Sequence, residues 1–183
     1  MDNESHVPEV RRGDGTPSPV RTLRRIDPKN DNPDRLLWLW NQIRSQEYAF
    51  DDTTKDNHHI FLEQLFMPNT EAYEFGDAGF LFITGIMPPV SALIHFVAWE
   101  DIEPREILEV KRVMLNHLFT DYGLMRVTAV IPAFNKQAIR MATITGFRYE
   151  GEMRKAFLNQ GVYHNLHIYG LLKSEFYTRE VKH

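Results

Sequence analysis

The sequence predicts an α/β or α+β domain, and three observations carry that prediction. Segments whose apolar residues recur at three and four alternate with short runs of branched and aromatic residues. One of those runs, residues 90–99, is apolar on both alternations, Ala92/Ile94/Phe96/Ala98 and Leu93/Val97/Trp99, which marks a central strand covered on both faces. Two longer runs, 147–157 and 162–172, flank Asn159-Gln160-Gly161, a turn suited to a closing hairpin.

The elements follow in order. Residues 1–19 carry Pro8, Pro17, Pro19, Gly13 and Gly15 among scattered charges, too little apolar surface to offset the entropy of ordering, and predict a flexible tail before a single domain over 20–183. Residues 20–26 read as a first strand, closed by Asp27-Pro28. A helix over 34–47 is set by Leu36, Leu37, Trp40 and Ile43, with Trp38 and Leu39 widening its apolar face. The acidic loop of Asp51, Asp52 and Asp56 leads to a second helix over 58–67, ended by Pro68-Asn69. Strands at 73–75, 79–86 and 90–99 precede a helix over 104–122. Pro104 suits its first turn, Asp101 or Glu103 its cap, and Ile107, Val110, Met114 and Leu118 its buried stripe. A strand at 125–131, a short helix over 135–144 stopped by Gly146, and the hairpin complete the chain.

Composition narrows the function. The 183 residues hold 43% hydrophobic and 25% charged residues, so a wholly disordered or fibrous chain is excluded. With 21 Lys and Arg against 25 Asp and Glu the net charge is −4, and no nucleic-acid partner is expected. The absence of cysteine removes thiolate nucleophiles, disulfides and Cys-bound zinc, and suits a reducing, cytoplasmic location. Residues 79–99 are uncharged and as long as the ~20 residues of a membrane span, but Pro88 and Pro89 at their centre fit a turn between two strands, so no membrane partner is expected. His58-His59 and His164/His167 lack the spacing that would let ligands converge, and no metal is expected.

From about residue 90 to 176 the motifs resemble the GCN5-related N-acetyltransferase (GNAT) family, nearest its protein N-terminal and ribosomal-protein acetylating branch. The resemblance rests on Arg126-Val127-Thr128-Ala129-Val130 leading through Pro132 to Asn135, then Gly146-Phe147, Glu150-Gly151, Arg154, the turn Asn159-Gln160-Gly161-Val162-Tyr163 and the ending from Tyr169 to Glu175. It implies a central mixed sheet with flanking helices, and acetyl-CoA as co-substrate. Backbone groups of Phe96, Val97 and Ala98 would hold the pantetheine arm. The turn of Arg105, Glu106, Ile107 and Leu108, with Arg140, would hold the pyrophosphate. Asn135 would order the pantetheine or a water, and Glu100 or His95 would act as base.

The chain departs from the family pattern twice. The family's Arg/Gln-x-x-Gly-x-Gly/Ala turn has no glycine here, and three glutamates, Glu103, Glu106 and Glu109, surround the phosphate position. The positions of the family's thiolate-protonating Tyr and of its alternative Ser are Ala142 and Ala138, which leaves Tyr149, Tyr163 and Tyr169 as donors to consider. Two functions are expected from this. The first is an N-acetyltransferase acting on an amine, a protein N-terminus or a small amine, by direct attack. The alternative is a catalytically silent binding or assembly module that has lost coenzyme A, docked to a protein partner through its tail and virion-associated if phage-encoded.

Overall fold

The computed structural model describes residues 23–99 and 102–180, the side chains of 179 and 180 excepted. The expected tail, the start of the first strand, and Glu100 and Asp101 therefore lie outside the described residues.

Twelve elements follow one another: β1 (Leu23–Arg25), α1 (Pro33–Arg44), α2 (His58–Phe66), β2 (Glu71–Phe75), β3 (Gly79–Met87), β4 (Ser91–Ala98), α3 (Pro104–Thr120), β5 (Arg126–Pro132), α4 (Lys136–Ile144), β6 (Arg148–Asn159), β7 (Val162–Leu172) and α5 (Lys173–Glu180). The strands form one sheet in the order β1-β2-β3-β4-β5-β7-β6, with β4 at its centre. Every pairing is antiparallel except that of β4 with β5. A parallel pair needs a crossover, and α3 supplies it. Residues 79–99 form the β3–β4 hairpin around a cis Pro88-Pro89 bond.

Side-chain alternation divides the interior into two cores. Tyr73, Leu81, Ile83, Ala92 and Val127 point to one face, where Val110, Met114, Leu115 and Leu118 of α3 cover them. Ala72, Phe80, Phe82 and Val97 point to the other, under Leu39, Trp40 and Ile43 of α1 and Phe61 and Leu65 of α2. Gly79 is required by packing: a Cβ there would stand 1.7 Å from the Phe75 ring, which lies across it to stack on Phe96 at 5.0 Å.

Helix starts follow the cap chemistry. Asn32, Asn57 and Asn135 each accept a backbone N–H at the start of α1, α2 and α4. Most boundaries shift by a residue or two from the sequence reading, and two differences are larger. Helix α1 ends at Arg44, because Ser45 turns its N–H onto the Ile43 carbonyl. Residues 173–180 form α5 where the sequence suggests only the hairpin's end, and Phe176 of that helix packs 5.4 Å from Phe119.

Candidate functional site

The site is made by a separation of strands. Strands β4 and β5 pair only at Ser91–Leu93 with Arg126–Thr128, then part, so a wedge opens beside the last residues of β4. Trp99 donates its N–H to the Ala78 carbonyl next to β3. Backbone groups alternate in direction along a strand, so Val97 also points to β3 while Phe96 and Ala98 point into the wedge. Of the three residues expected along the pantetheine edge, Phe96 and Ala98 thus point to the wedge and Val97 to the sheet. The Ala98 carbonyl accepts from the Tyr48 hydroxyl at 3.2 Å, which ties the segment after α1 to the same edge.

The proposed phosphate turn is reduced in the same way. Glu106 and Ile107 both donate to the Glu103 carbonyl, at 2.8 and 3.2 Å, and Ile107 is buried in the core. Their amides are thus occupied, Leu108 lies inside the helix, and Pro104 has no N–H, so Arg105 holds the first-turn amide left to an anion. Its guanidinium is exposed and pairs with Glu109 at 3.4 Å. Asn135 uses its Oδ1 to cap α4 on the Ala138 N–H at 3.0 Å, which leaves its amide nitrogen for other partners, and Arg140 stands exposed on that helix.

On the opposite face of β4 a cavity of about 510 Å³ lies between the sheet, α2 and the α1–α2 loop. Phe50, Phe61, Phe80, Phe82 and Phe157 make its walls mainly aromatic, and His95 and Asp51 bring the titratable groups. His95 has only the Phe82 ring, 6.1 Å away, as an aromatic neighbour, and no hydrogen bond to its ring is found among the described residues. Burial pushes its imidazole below the usual histidine range, so it stays neutral at pH 7. For Asp51, burial alone would raise the pKa, but hydrogen bonds from Thr53 and Thr54 to Oδ1 outweigh it and hold the carboxyl low.

The three loop aspartates do not act together. Asp51 lines the cavity, whereas Asp52 accepts from the Gly161 N–H at 2.8 Å and from Lys55 at 2.7 Å, fastening the loop to the β6–β7 hairpin. Glu47 reinforces that attachment by accepting from Asn159 and Gln160. Asp56 is exposed, 3.8 Å from Arg44. Among the tyrosines considered as acids, Tyr149 and Tyr163 are exposed and Tyr169 is buried in the α3-side core. Lys111 of α3 lies half-buried over the Phe96 ring at 4.8 Å. The histidine pairs gather no metal site among the described residues.

The splayed β4–β5 pair, the α3 crossover and the closing β6–β7 hairpin can be compared with known proteins. A crystal structure described as a "Probable acetyltransferase" superposes with a TM-score of 0.65 over 86% of this chain and 96% of the other, at 22% identity. The spermidine N-acetyltransferase of Vibrio cholerae, solved in complex with CoA and spermine, matches at a TM-score of 0.65 over 85% of this chain and 97% of its own, at 18% identity. The chain has the GNAT acetyltransferase fold. In sequence the chain is similar to the SPbeta prophage-derived uncharacterized N-acetyltransferase YokL of Bacillus subtilis (strain 168), 22% identical over 140 residues, which are 76% of this chain and 70% of that protein. No family model matches. No helix among the described residues is long and apolar enough to cross a membrane.

Proposed function

We propose that this chain transfers an acetyl group from acetyl-CoA to an amine seated in the aromatic cavity. One observation carries the reading: β4 presents an open backbone edge to the wedge at Phe96 and Ala98, and the intervening side chains His95 and Val97 to the cavity. A thioester held along that edge and an amine in the cavity would meet across one strand. The silent-module alternative has no such observation behind it, and the relatives described above are acetyltransferases.

Acetyl-CoA supplies an activated thioester, and the residues of the chain do the rest. The Phe96 and Ala98 edge would bind the pantetheine arm and polarise the thioester carbonyl. The Arg105 amide, at the positive end of α3, would meet the pyrophosphate. Asn135, through its amide nitrogen, would order the arm or a water. Neutral His95 would take a proton from the acceptor ammonium, with Glu100 the second candidate for that base. Asp51 would attract the ammonium. It is the one carboxylate among the residues lining the cavity, so the pocket suits a single amine on an apolar body, a small amine or an N-terminus with an apolar first side chain, better than a polyamine.

The test is calorimetric titration with acetyl-CoA followed by release of CoA thiol against a panel of amines. His95→Gln is expected to lower kcat by ~10²-fold or more with the acetyl-CoA Kd unchanged. A full rate in His95→Gln with a loss in Glu100→Gln would move the base to Glu100. Absence of both binding heat and turnover in the unmodified protein would refute the reading.

A further inference from the structure

We propose that Lys111 is the proton donor to the departing thiolate, filling the role that Ala142 and Ala138 cannot. The proposal rests on the acetyl-transfer reading above and concerns the wedge rather than the cavity.

Phe96 fixes where the ammonium lies. Phe75 stacks on one face of the Phe96 ring at 5.0 Å and 14°, arriving from the β2 side of the sheet. Lys111 Nζ covers the ring at 4.8 Å, so it takes the other face, toward β5. Phe96 stands beyond Leu93, the last residue of β4 that pairs with β5. The ammonium is therefore directed to the opening between the parted strands. Phe96, Ala138 and Ala142 all belong to the α3-side core, so Lys111 works on the face where the two alanines leave no donor.

Among the described residues the cation has no counter-ion. No carboxylate or hydrogen-bond acceptor partners Lys111 Nζ among the described residues, whereas Glu106, Glu109 and Arg112 of the same helix all have partners. A half-buried ammonium without an anion is unfavourable, and the arrangement is explained if negative charge develops beside it during the reaction. Among the described residues the other titratable groups on this face include Tyr169 of β7, Tyr177 of α5, exposed Lys136 and Arg140 of α4, and the Glu71–His117 cluster near the far end of α3. None of them sets the charge of Lys111, because burial by itself brings its pKa down to about 8. That value lies close to the ordinary thiol range of about 8.5, a good match for proton transfer to sulfur.

The step balances. The amine nitrogen, neutral once the base has taken a proton from its ammonium, attacks the thioester carbonyl carbon and forms the N–C bond; the C–S bond breaks with its electron pair staying on sulfur, and the nitrogen releases its second proton to solvent to leave the neutral amide. An N–H of the Lys111 ammonium gives its proton to that sulfur, leaving neutral lysine and CoA thiol, and solvent returns a proton to the lysine before the next turnover.

Four proteins test this: wild type, Lys111→Met, Lys111→Arg and Tyr169→Phe, each measured for kcat against pH, for Kd of CoA and desulfo-CoA, and for melting temperature. In the wild type kcat is expected to fall as pH rises above about 8, as Lys111 loses its proton. Lys111→Met should lose ~10²-fold in kcat and that descending limb. It should also lose any preference for CoA over desulfo-CoA, and should melt no lower than wild type because an unpaired charge has gone. Lys111→Arg keeps the charge but holds its proton, so it should retain CoA preference without restoring kcat. Wild-type kcat and limb in Lys111→Met, full rescue by Lys111→Arg, or loss of the limb in Tyr169→Phe would each overturn the proposal while leaving acetyl transfer intact. Absence of acetyl-CoA binding in the wild type would overturn both. Should Lys111→Met fail to fold, Lys111→Gln takes its place with the same expectations.

Discussion

Replacing Glu71 by alanine tests how α3 is held on the sheet, and its effect can be worked out from the contacts. The carboxylate is 4% exposed and pairs with Arg25 at 2.7 Å. It accepts from the hydroxyls of Tyr73 at 2.9 Å and Tyr122 at 2.7 Å. His117 of α3 faces it through Nε2 at 3.4 Å and faces Asp121 through Nδ1 at 2.6 Å. A carboxylate at each nitrogen raises the His117 pKa and favours the imidazolium, so truncating Glu71 takes one of two carboxylates from His117 and leaves the buried Tyr73 hydroxyl without its acceptor. Removing one partner of a buried ion pair costs about 3–5 kcal/mol. Arg25 is 39% exposed and regains water, which favours the lower end, about 3 kcal/mol. For a domain of this size that is a fall in Tm of about 6–12 °C. Thermal and urea unfolding of Glu71→Ala, with Glu71→Gln expected between it and wild type, would measure this. A shift below about 2 °C in Glu71→Ala would refute the reasoning, since the network would then contribute no more than a surface contact.

Two further predictions follow from the same chemistry. Burial alone would lower the His117 pKa, but its bonds to Glu71 and Asp121 raise it, so its contribution is full below about pH 6.5 and is lost as pH rises through the folded value. Glu71 behaves oppositely: burial would raise it, but its hydrogen bonds and Arg25 lower it, so its contribution is present above about pH 4.5 and is lost on acidification. Unfolding free energy from urea titrations should therefore decline from slightly acid toward alkaline pH, and His117→Gln should flatten that decline; an unchanged slope would contradict the assignment. Asp51→Asn keeps an acceptor for Thr53 and Thr54 while removing the charge at the cavity. It is expected to raise the KM for an amine ~10-fold with the acetyl-CoA Kd unchanged, and an unaltered KM would remove Asp51 from acceptor binding.

Much of the fold could be read from local pattern. The run around Ala92–Ala98 marked the central strand because both alternations are apolar, but the strand is not covered on both faces: only Ala92 and Val97 are buried, since the wedge and the cavity open beside it; the paired prolines marked its turn. Helix α5 was illegible because one buried side chain, Phe176, in eight mostly polar residues gives no period. The site was legible in part. His95 drew notice as a histidine within an apolar strand, but the aromatic walls around it come from α2, β3 and β6, far apart in sequence. Lys111 could not be singled out, because a lysine beside a buried stripe looks the same whether its ammonium reaches water or turns back over a ring.

What the sequence determined by itself was the order of most helices and strands and the chemistry available to a chain without cysteine. These follow from interactions within a few residues. Tertiary structure decided which backbone groups remain free. The parting of β4 from β5 after Leu93 and the alternation of amides along β4 expose Phe96 and Ala98 but not Val97, and the Glu103 carbonyl occupies the amides of Glu106 and Ile107. Hydrogen-bond direction and ring-face contact depend on strands and helices that meet only when the chain has folded, so no local spacing could have assigned them.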